Sequence, residues 1–367
     1  MGTHVTRRFR FVLLATALCC LAACGGSKYT TEGTFRVEPG GFIVVGEGSF
    51  RPPQIVYSYN SDGKLLDTKY FKSFHHQAAA KDENLMMLAS VRTDKILSIH
   101  RDGKIRMFSL PLKGNYDTYF DIKKTSNDIW AVSLNGLITS KDGLRGKILY
   151  FNKKREVLKE EQVPELADHV ELLQNSTHDM FLRSMKIPGS DIIFYLKEKG
   201  KLREMYRFDF RNGPEVVLRE CVGFDKFYCY TNKLKEEKGE TNKVIESRLG
   251  VLNTETAMLE NSVPIHRPDM IKATDEAALI TSYDNGYLHI LTKDGKLYSS
   301  QPEGCEECRF WDIDSLHGQI YILYYKDKER AELGDECFVS KWDRDTNKLE
   351  KPIRFDGICN TLLMVDK

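Results

Sequence analysis

The chain has 367 residues, with 54 lysines and arginines against 53 aspartates and glutamates and a formal charge of +1. That balance lacks the basic excess of a nucleic-acid-binding chain, so no nucleic-acid partner is expected. The 41% hydrophobic and 11% aromatic residues suffice for a packed core and exclude a disordered chain.

The first informative segment is N-terminal. Arg7, Arg8 and Arg10 precede an apolar run from Phe11 to Leu21, which ends in Leu21-Ala22-Ala23-Cys24. A basic start, a short apolar stretch and small residues at a cleavage point make an export signal. A spanning helix needs about 20 apolar residues, more than this run supplies. The cysteine directly after Leu-Ala-Ala resembles the bacterial lipobox, in which that cysteine is lipidated and becomes the new N-terminus. The resemblance implies a lipoprotein signal peptide over 1–23 and lipidation (palmitate-type acylation) at Cys24. The chain would then be held to a bacterial cell-envelope membrane on the extracytoplasmic side, with each buried CH₂ contributing about 0.8 kcal/mol. Gly25 after that cysteine is compatible with outer-membrane sorting in a two-membrane cell. Loss of 1–23 removes three arginines and no acids, which takes the formal charge from +1 to −2. Gly25-Gly26-Ser27 and the polar residues that follow read as a flexible tether over 24–34.

From residue 35 to 367 one pattern recurs. An apolar strand, a turn of the Asp-Gly-Lys type and a second strand are read from Ile55, Ile96 and Leu288, and in looser form from Ile148, Ile192, Leu249 and Phe338. Asp-Gly between alternating apolar runs is a strong hairpin signal, since glycine takes positive φ without strain. A second strand pair precedes each hairpin. Its later members begin at Phe42, Leu85, Asp128, Asp179, Lys226, Ala277 and Gln319. The unit is therefore four antiparallel strands, used seven times at about 40 to 55 residues, the period of propeller blades. Helical periodicity is nearly absent. The stretch Glu165 to Leu173 is placed as a blade junction instead of a short helix.

These residues predict an all-β fold, a seven-bladed β-propeller of four-stranded antiparallel blades over 35–367. The run from Cys359 is expected to close the ring by adding the inner strand to the blade begun at Phe42, with Gly33 to Val37 as the rival for that slot. The apolar-Asp-Gly-Lys-apolar hairpin resembles the YVTN/NHL-like group, which includes lactonase-like propellers. That resemblance implies a funnel with a divalent metal on its axis.

The repeat also places the loops. Asp-Gly-Lys turns fall on one face. The connections from second to third strands, and from one blade to the next, fall on the other. Long loops on a rigid scaffold are where binding usually sits. Four of them, Glu47 to Pro53, Leu134 to Gly146, Thr231 to Glu246 and Tyr325 to Glu336, share that second face. Beyond Cys24 six cysteines read as disulfides in an exported chain: Cys221, Cys229, Cys305, Cys308, Cys337 and Cys359. Cys221 and Cys229 flank one turn and are expected to pair. The other four are expected to form two bonds that pin the ring closure, with connectivity left open. A four-thiolate zinc site is the rival, and its second Cys-x-x-Cys half is missing.

Ionisable residues at the channel mouth are the candidate binding positions: His75, His76, Asp117, Asp168, His169, His266, Arg267 and Asp269. No nucleophile elbow, His-Glu-x-x-His motif or phosphate loop occurs, so no catalytic residue is assigned and no cofactor is expected beyond the axial metal. Trp130, Trp311 and Trp342 are better explained by packing between blades than by sugar stacking. The reading that results is a non-catalytic, lipid-anchored module that binds a protein or an envelope polymer through its loop-rich rim. The alternative is a metal-dependent hydrolase or lyase acting at the channel mouth.

Overall fold

A strand that is apolar on both sides has to be covered on both sides. Phe42–Gly46, Leu85–Ser90 and Ala277–Ser282 are such strands, buried at every residue. In the computed structural model the described residues are 32–366, apart from 47–53, 73, 75, 91–92, 112–115, 126–128, 137–144, 167–168, 175–179, 186–190, 199–200, 210–215, 236–242, 283, 285, 327–335 and 357–359. Their strands form seven antiparallel sheets. Sheet 1 joins Phe42–Gly46, Gln54–Tyr59 and Leu65–Phe71 to the C-terminal strand Thr361–Met364. Sheets 2 to 7 follow in chain order. Their innermost strands are His76–Lys81, Tyr116–Lys124, His169–Gln174, Val216–Gly223, Pro268–Ala273 and Cys308–Leu316. The stretch set at Glu165 to Leu173 is indeed a junction: strand Val157–Leu166 ends sheet 3 and His169–Gln174 begins sheet 4.

One apolar cluster fills each gap between consecutive sheets. Ile43, Val45 and Leu363 of sheet 1 pack on Met86 and Leu88 of sheet 2. The alternate residues Phe42, Val44, Leu362 and Met364 pack on Leu323 and Val339 of sheet 7. The period of two thus sends successive side chains of one strand into two different cores. This radial stacking is a β-propeller. Phe42 pairs with Met364 and Val45 with Thr361, so the C-terminal strand takes the inner slot of sheet 1. Glu32–Thr34 instead adds to the outer edge of sheet 2, beside Lys104–Ser109.

The tight hairpins follow their chemistry. Gly63, Gly103 and Gly295 of the three Asp-Gly-Lys turns have φ of +79°, +85° and +81°. At Gly103 an added Cβ would lie 2.6 Å from the Phe35 carbonyl oxygen, so both conformation and space require glycine.

Inner strands are tied to one another by acids. Asp121 Oδ2 accepts the Leu172 N–H at 2.7 Å, and Glu220 Oε2 accepts the Ile271 N–H at 2.7 Å. Asp312 and Asp314 accept the N–H groups of Leu362 and Met364 at 2.8 and 2.7 Å. At this last junction sheet 2 reaches over as well. Lys81 Nζ lies 2.6 Å from Asp312, with side chains only 5% exposed on both partners. Arg101 grips both Asp314 oxygens at 2.6 and 3.1 Å and donates to the carbonyls of Glu83, Met364 and Ser315.

Removing one partner of a buried ion pair leaves the other charged and unpaired, at about 3–5 kcal/mol. Asp314→Ala is expected to lower unfolding free energy by that amount in denaturant titration. Glu276→Ala, which breaks the exposed 2.7 Å pair with Lys293, is expected to cost less than about 1 kcal/mol. Equal losses in the two variants would remove the special role of the seam.

Candidate ligand-binding rim

All inner strands begin on the same face, opposite the tight turns. The backbone therefore sets His76, Asp117, His169 and Asp269 at the first or second residue of four inner strands, around one channel mouth. His75 and Asp168 lie outside the described residues. So do all of Glu47 to Pro53 and most of the other three long loops, whose flanking strand ends open on this face.

Three of the candidates, His266, Arg267 and Asp269, sit at the entry to sheet 6, where a cluster is built. His266 Nε2 lies 2.7 Å from Asp284 Oδ2, and Arg267 Nη1 donates to Asp284 Oδ1 at 2.9 Å. Arg267 holds a positive φ of 24°, uncommon for a residue with a Cβ. Its carbonyl accepts the Ser282 hydroxyl at 3.3 Å. The His266 ring stacks on Tyr287, centroids 3.6 Å apart, and Tyr287 is in turn near-parallel to His289 at 6.3 Å. This ladder runs from the surface into the interior. His289 is 3% exposed and shares a 2.9 Å hydrogen bond between Nδ1 and Ser299 Oγ, while its Nε2 has no partner among the described residues. Burial pushes its pKa down to about 4, and the nearby His266 adds to the effect.

Sheet 7 supplies the other wall. Arg309 Nη2 lies 3.5 Å from Asp269 Oδ2, and its guanidinium stands 5.3 Å over the Trp311 ring. Tyr325 lies 6.1 Å from Trp311. Trp130 and Trp342 are buried at 0% and 3% exposure, as packing explains, whereas Trp311 is half-buried at the rim. A local staple holds the two walls together. Cys305 and Cys308 are joined, and the Cys308 carbonyl accepts the Gly286 N–H at 2.6 Å. Gly286 has a φ of +84°, and a Cβ there would lie 2.9 Å from the Glu306 carbonyl oxygen.

The disulfides refine the cysteine reading. Cys221 pairs with Cys229 as expected. Cys305 and Cys308 bond to each other within one loop, so they hold the rim and do not cross the closure, and they are not thiolate ligands for zinc. Cys337 is disulfide-bonded too, and Cys359 lies outside the described residues.

The opposite end of the channel carries charge across the axis. Lys124 Nζ of sheet 3 lies 4.0 Å from Asp82 of sheet 2 and 3.7 Å from Asp275 of sheet 6. An ammonium fills that end where an axial metal would need donor atoms, so the residues there do not fit a metal. Among the described residues no group of three or more His, Cys, Asp or Glu could hold one. On the same face a cleft of about 300 Å³ lies between sheets 6 and 7. Its charges pair internally, as Arg344–Asp294 at 2.6 Å and Lys341–Glu350 at 3.1 Å. No helix among the described residues is long and apolar enough to cross a membrane.

The sequence reading missed Asp284, Tyr287, His289 and Arg309. Asp284 and Tyr287 flank Asn285-Gly286, a turn signal just before a strand, and such a turn beside His266 was the available clue.

No family model matches the chain, and no curated protein does. Solved structures do. An apocarotenoid oxygenase mutant from Synechocystis has a TM-score of 0.53 at 8% identity, covering 92% of this chain and 95% of that one. The β-propeller domain of the Trilobed protease from Pyrococcus furiosus, described as having an open velcro topology, gives 0.51 at 13% identity over 89% and 97%. Apo AztD from Citrobacter koseri gives 0.50 at 11% identity over 89% and 99%. At these identities the likeness shows the fold, an all-β propeller.

The neutral, buried His289 has a pH consequence. Unfolded, the imidazole takes up a proton near its ordinary value of 6.5; folded, it resists protonation until about 4. Acid therefore favours the unfolded chain, and about 3 kcal/mol is lost as pH falls from 6.5 to 4. Denaturant midpoints of His289→Gln, compared with wild type across that window, should show a shallower decline. An unchanged slope would place the acid sensitivity elsewhere.

Proposed function

We propose that the chain is a lipid-anchored, extracytoplasmic binding module of the bacterial cell envelope. In this reading Cys24 carries the acyl chains, and the seven sheets make one closed seven-bladed ring sealed by the C-terminal strand. The loop-rich rim takes a protein or an envelope polymer without turning it over. The observation that carries the reading is the rim on sheets 6 and 7. There the half-buried Trp311, the His266–Tyr287 stack and two arginine–carboxylate pairs are presented by a disulfide-stapled frame. Aromatic and arginine side chains held rigidly are the groups that dominate binding energy at recognition surfaces. The opposite face offers tight turns, a lysine across the axis and internally paired charges.

The test has two parts, made on protein expressed with its own signal. Cys24→Ala should leave the membrane fraction, and mass spectrometry of the wild-type N-terminal peptide should show acylation. Cross-linking in intact envelopes should trap one defined partner or polymer. Trp311→Ala or Arg309→Ala should weaken its binding by at least about 30-fold, the effect of losing roughly 2 kcal/mol at a hot spot. Arg344→Ala on the turn face should bind as wild type. Equal capture by all variants, or a wild-type chain without acyl groups, would overturn the reading.

A further inference from the structure

The chain enters the fold along one edge, and that edge has a chemistry of its own. Glu32–Thr34 is the outermost, fifth strand of sheet 2, with Glu32 opposite Arg106 and Thr34 opposite Lys104. Phe35 then donates its N–H to the Gly103 carbonyl at 2.7 Å and is buried in the core between sheets 1 and 2. The Arg36 N–H donates to Asp67 Oδ2 at 3.1 Å, and its carbonyl accepts the Ser58 hydroxyl at 2.8 Å. From Glu32 onward the chain is therefore fixed to the wheel.

Only eight peptide links separate Cys24 from Glu32. Fully extended they span about 28 Å, and a Gly/Ser-type chain of that length averages about 16 Å. Two four-stranded blades on either side of a hub extend more than about 30 Å, at roughly 4.8 Å per strand. A wheel held by this edge cannot turn its far side down to the surface that holds Cys24. In a ring of seven sheets, the side opposite sheet 2 lies between sheets 5 and 6, where the His266–Tyr287 rim begins.

Charge around the attachment supports the same orientation. Arg106 and Lys104 are 51% and 71% exposed in their side chains. Lys153 and Lys154 stand exposed on the neighbouring turn of sheet 3, and Arg155 beside them lies 4.9 Å over Phe108. The acids facing this group are Glu32, 3.9 Å from Arg106; Asp102, 2.6 Å from Lys104; Asp82, 3.9 Å from Lys153; and Glu156, hydrogen-bonded to Asn152. Five cations thus face four acids, an excess of one positive charge, with Lys154 exposed and outside these pairs, and a cation near an anionic bilayer contributes about 1 kcal/mol.

We propose that the outer edge of sheets 2 and 3 rests against anionic lipid headgroups, so that the wheel stands edge-on and holds sheet 6, which carries the His266–Tyr287 wall of the rim, farthest from the bilayer. This rests on the Cys24 anchor put forward above. Protein isolated from envelopes is reconstituted into vesicles of phosphatidylcholine with and without phosphatidylglycerol. Flotation comes first. Wild-type chain that fails to float, or Cys24→Ala that floats equally, sinks the anchored reading and this inference with it. On floating protein, lysine acetylation is then mapped against the detergent-solubilised state. The expected result in anionic vesicles is at least threefold lower labelling of Lys104 and Lys154, with Lys235 and Lys243 of sheet 5 unchanged. The double variant Arg106→Glu/Arg155→Glu should float normally yet lose that protection. Protection of Lys235 and Lys243, or equal labelling of all four lysines on floating wild-type vesicles, overturns the orientation and leaves the anchor standing.

Discussion

Arg101 and Asp314 sit where the wheel closes, and the rest of the structure depends on that closure. A four-residue strand from the far end of the chain, Thr361–Met364, has to find Phe42–Gly46 across more than 300 residues. Its two cores alone would tolerate sliding, because Leu362, Leu363 and Met364 are all apolar. The aspartates remove that freedom. Asp312 and Asp314 are two residues apart, and so are the N–H groups they accept, from Leu362 and Met364. A slip of one residue would present each carboxylate to the wrong side of the strand. Lys81 and Arg101 then add a condition, since their charges are neutralised only when sheets 7, 1 and 2 are all in place. Buried ion pairs contribute little net stability compared with apolar packing, and register is their best-attested use.

What was legible in the sequence is what is local. The hairpins were readable because glycine at positive φ and the apolar alternation around it lie within a dozen residues, as at Asp62-Gly63-Lys64. The closing strand was readable as a strand left without a partner, and Cys221–Cys229 because both flank one turn. The acid hooks were not. Asp121 and Leu172, or Glu220 and Ile271, are 51 residues apart, and each acid alone looks like a polar interruption of a strand. Glu32–Thr34 carries no apolar residue, so its pairing with sheet 2 gave no pattern to find.

The candidate rim was half legible for a related reason. His266, Arg267 and Asp269 were found because a blade junction is readable from the repeat. Their partners come from elsewhere: Asp284 from a loop within sheet 6, and Arg309 from the next inner strand. Once assembled, each arginine of the cluster stands beside a carboxylate and each outer ring against another ring, while the buried Arg309 Nε and His289 Nε2 have no hydrogen-bond partner among the described residues. Such a surface is already ordered before anything binds, and the entropy of arranging it does not oppose binding. The buried, neutral His289 beneath Tyr287 belongs to the same logic, because a charged ring there would have to be hydrated and the ladder would open.

The two chain ends also meet in one place, and this shapes how the molecule bears load. The N-terminal strap crosses from sheet 2 to sheet 1 through Phe35 and Arg36, and the C-terminal strand, innermost in sheet 1, is hooked to sheet 7 by Asp312 and Asp314 and held by Arg101. Sheets 7, 1 and 2 are therefore sewn together by both ends and by the buried pairs. A pull on the N-terminus loads Glu32–Thr34 along its partner strand and then the buried Phe35 before any inner strand is touched. The Trp311 and Arg309 wall of the rim stands on the same inner strand of sheet 7 as Asp312 and Asp314, and the His266–Tyr287 wall on sheet 6 is one core cluster farther round. The aspartates that set the register of the closing strand thus also fix the backbone that carries one wall of the candidate rim.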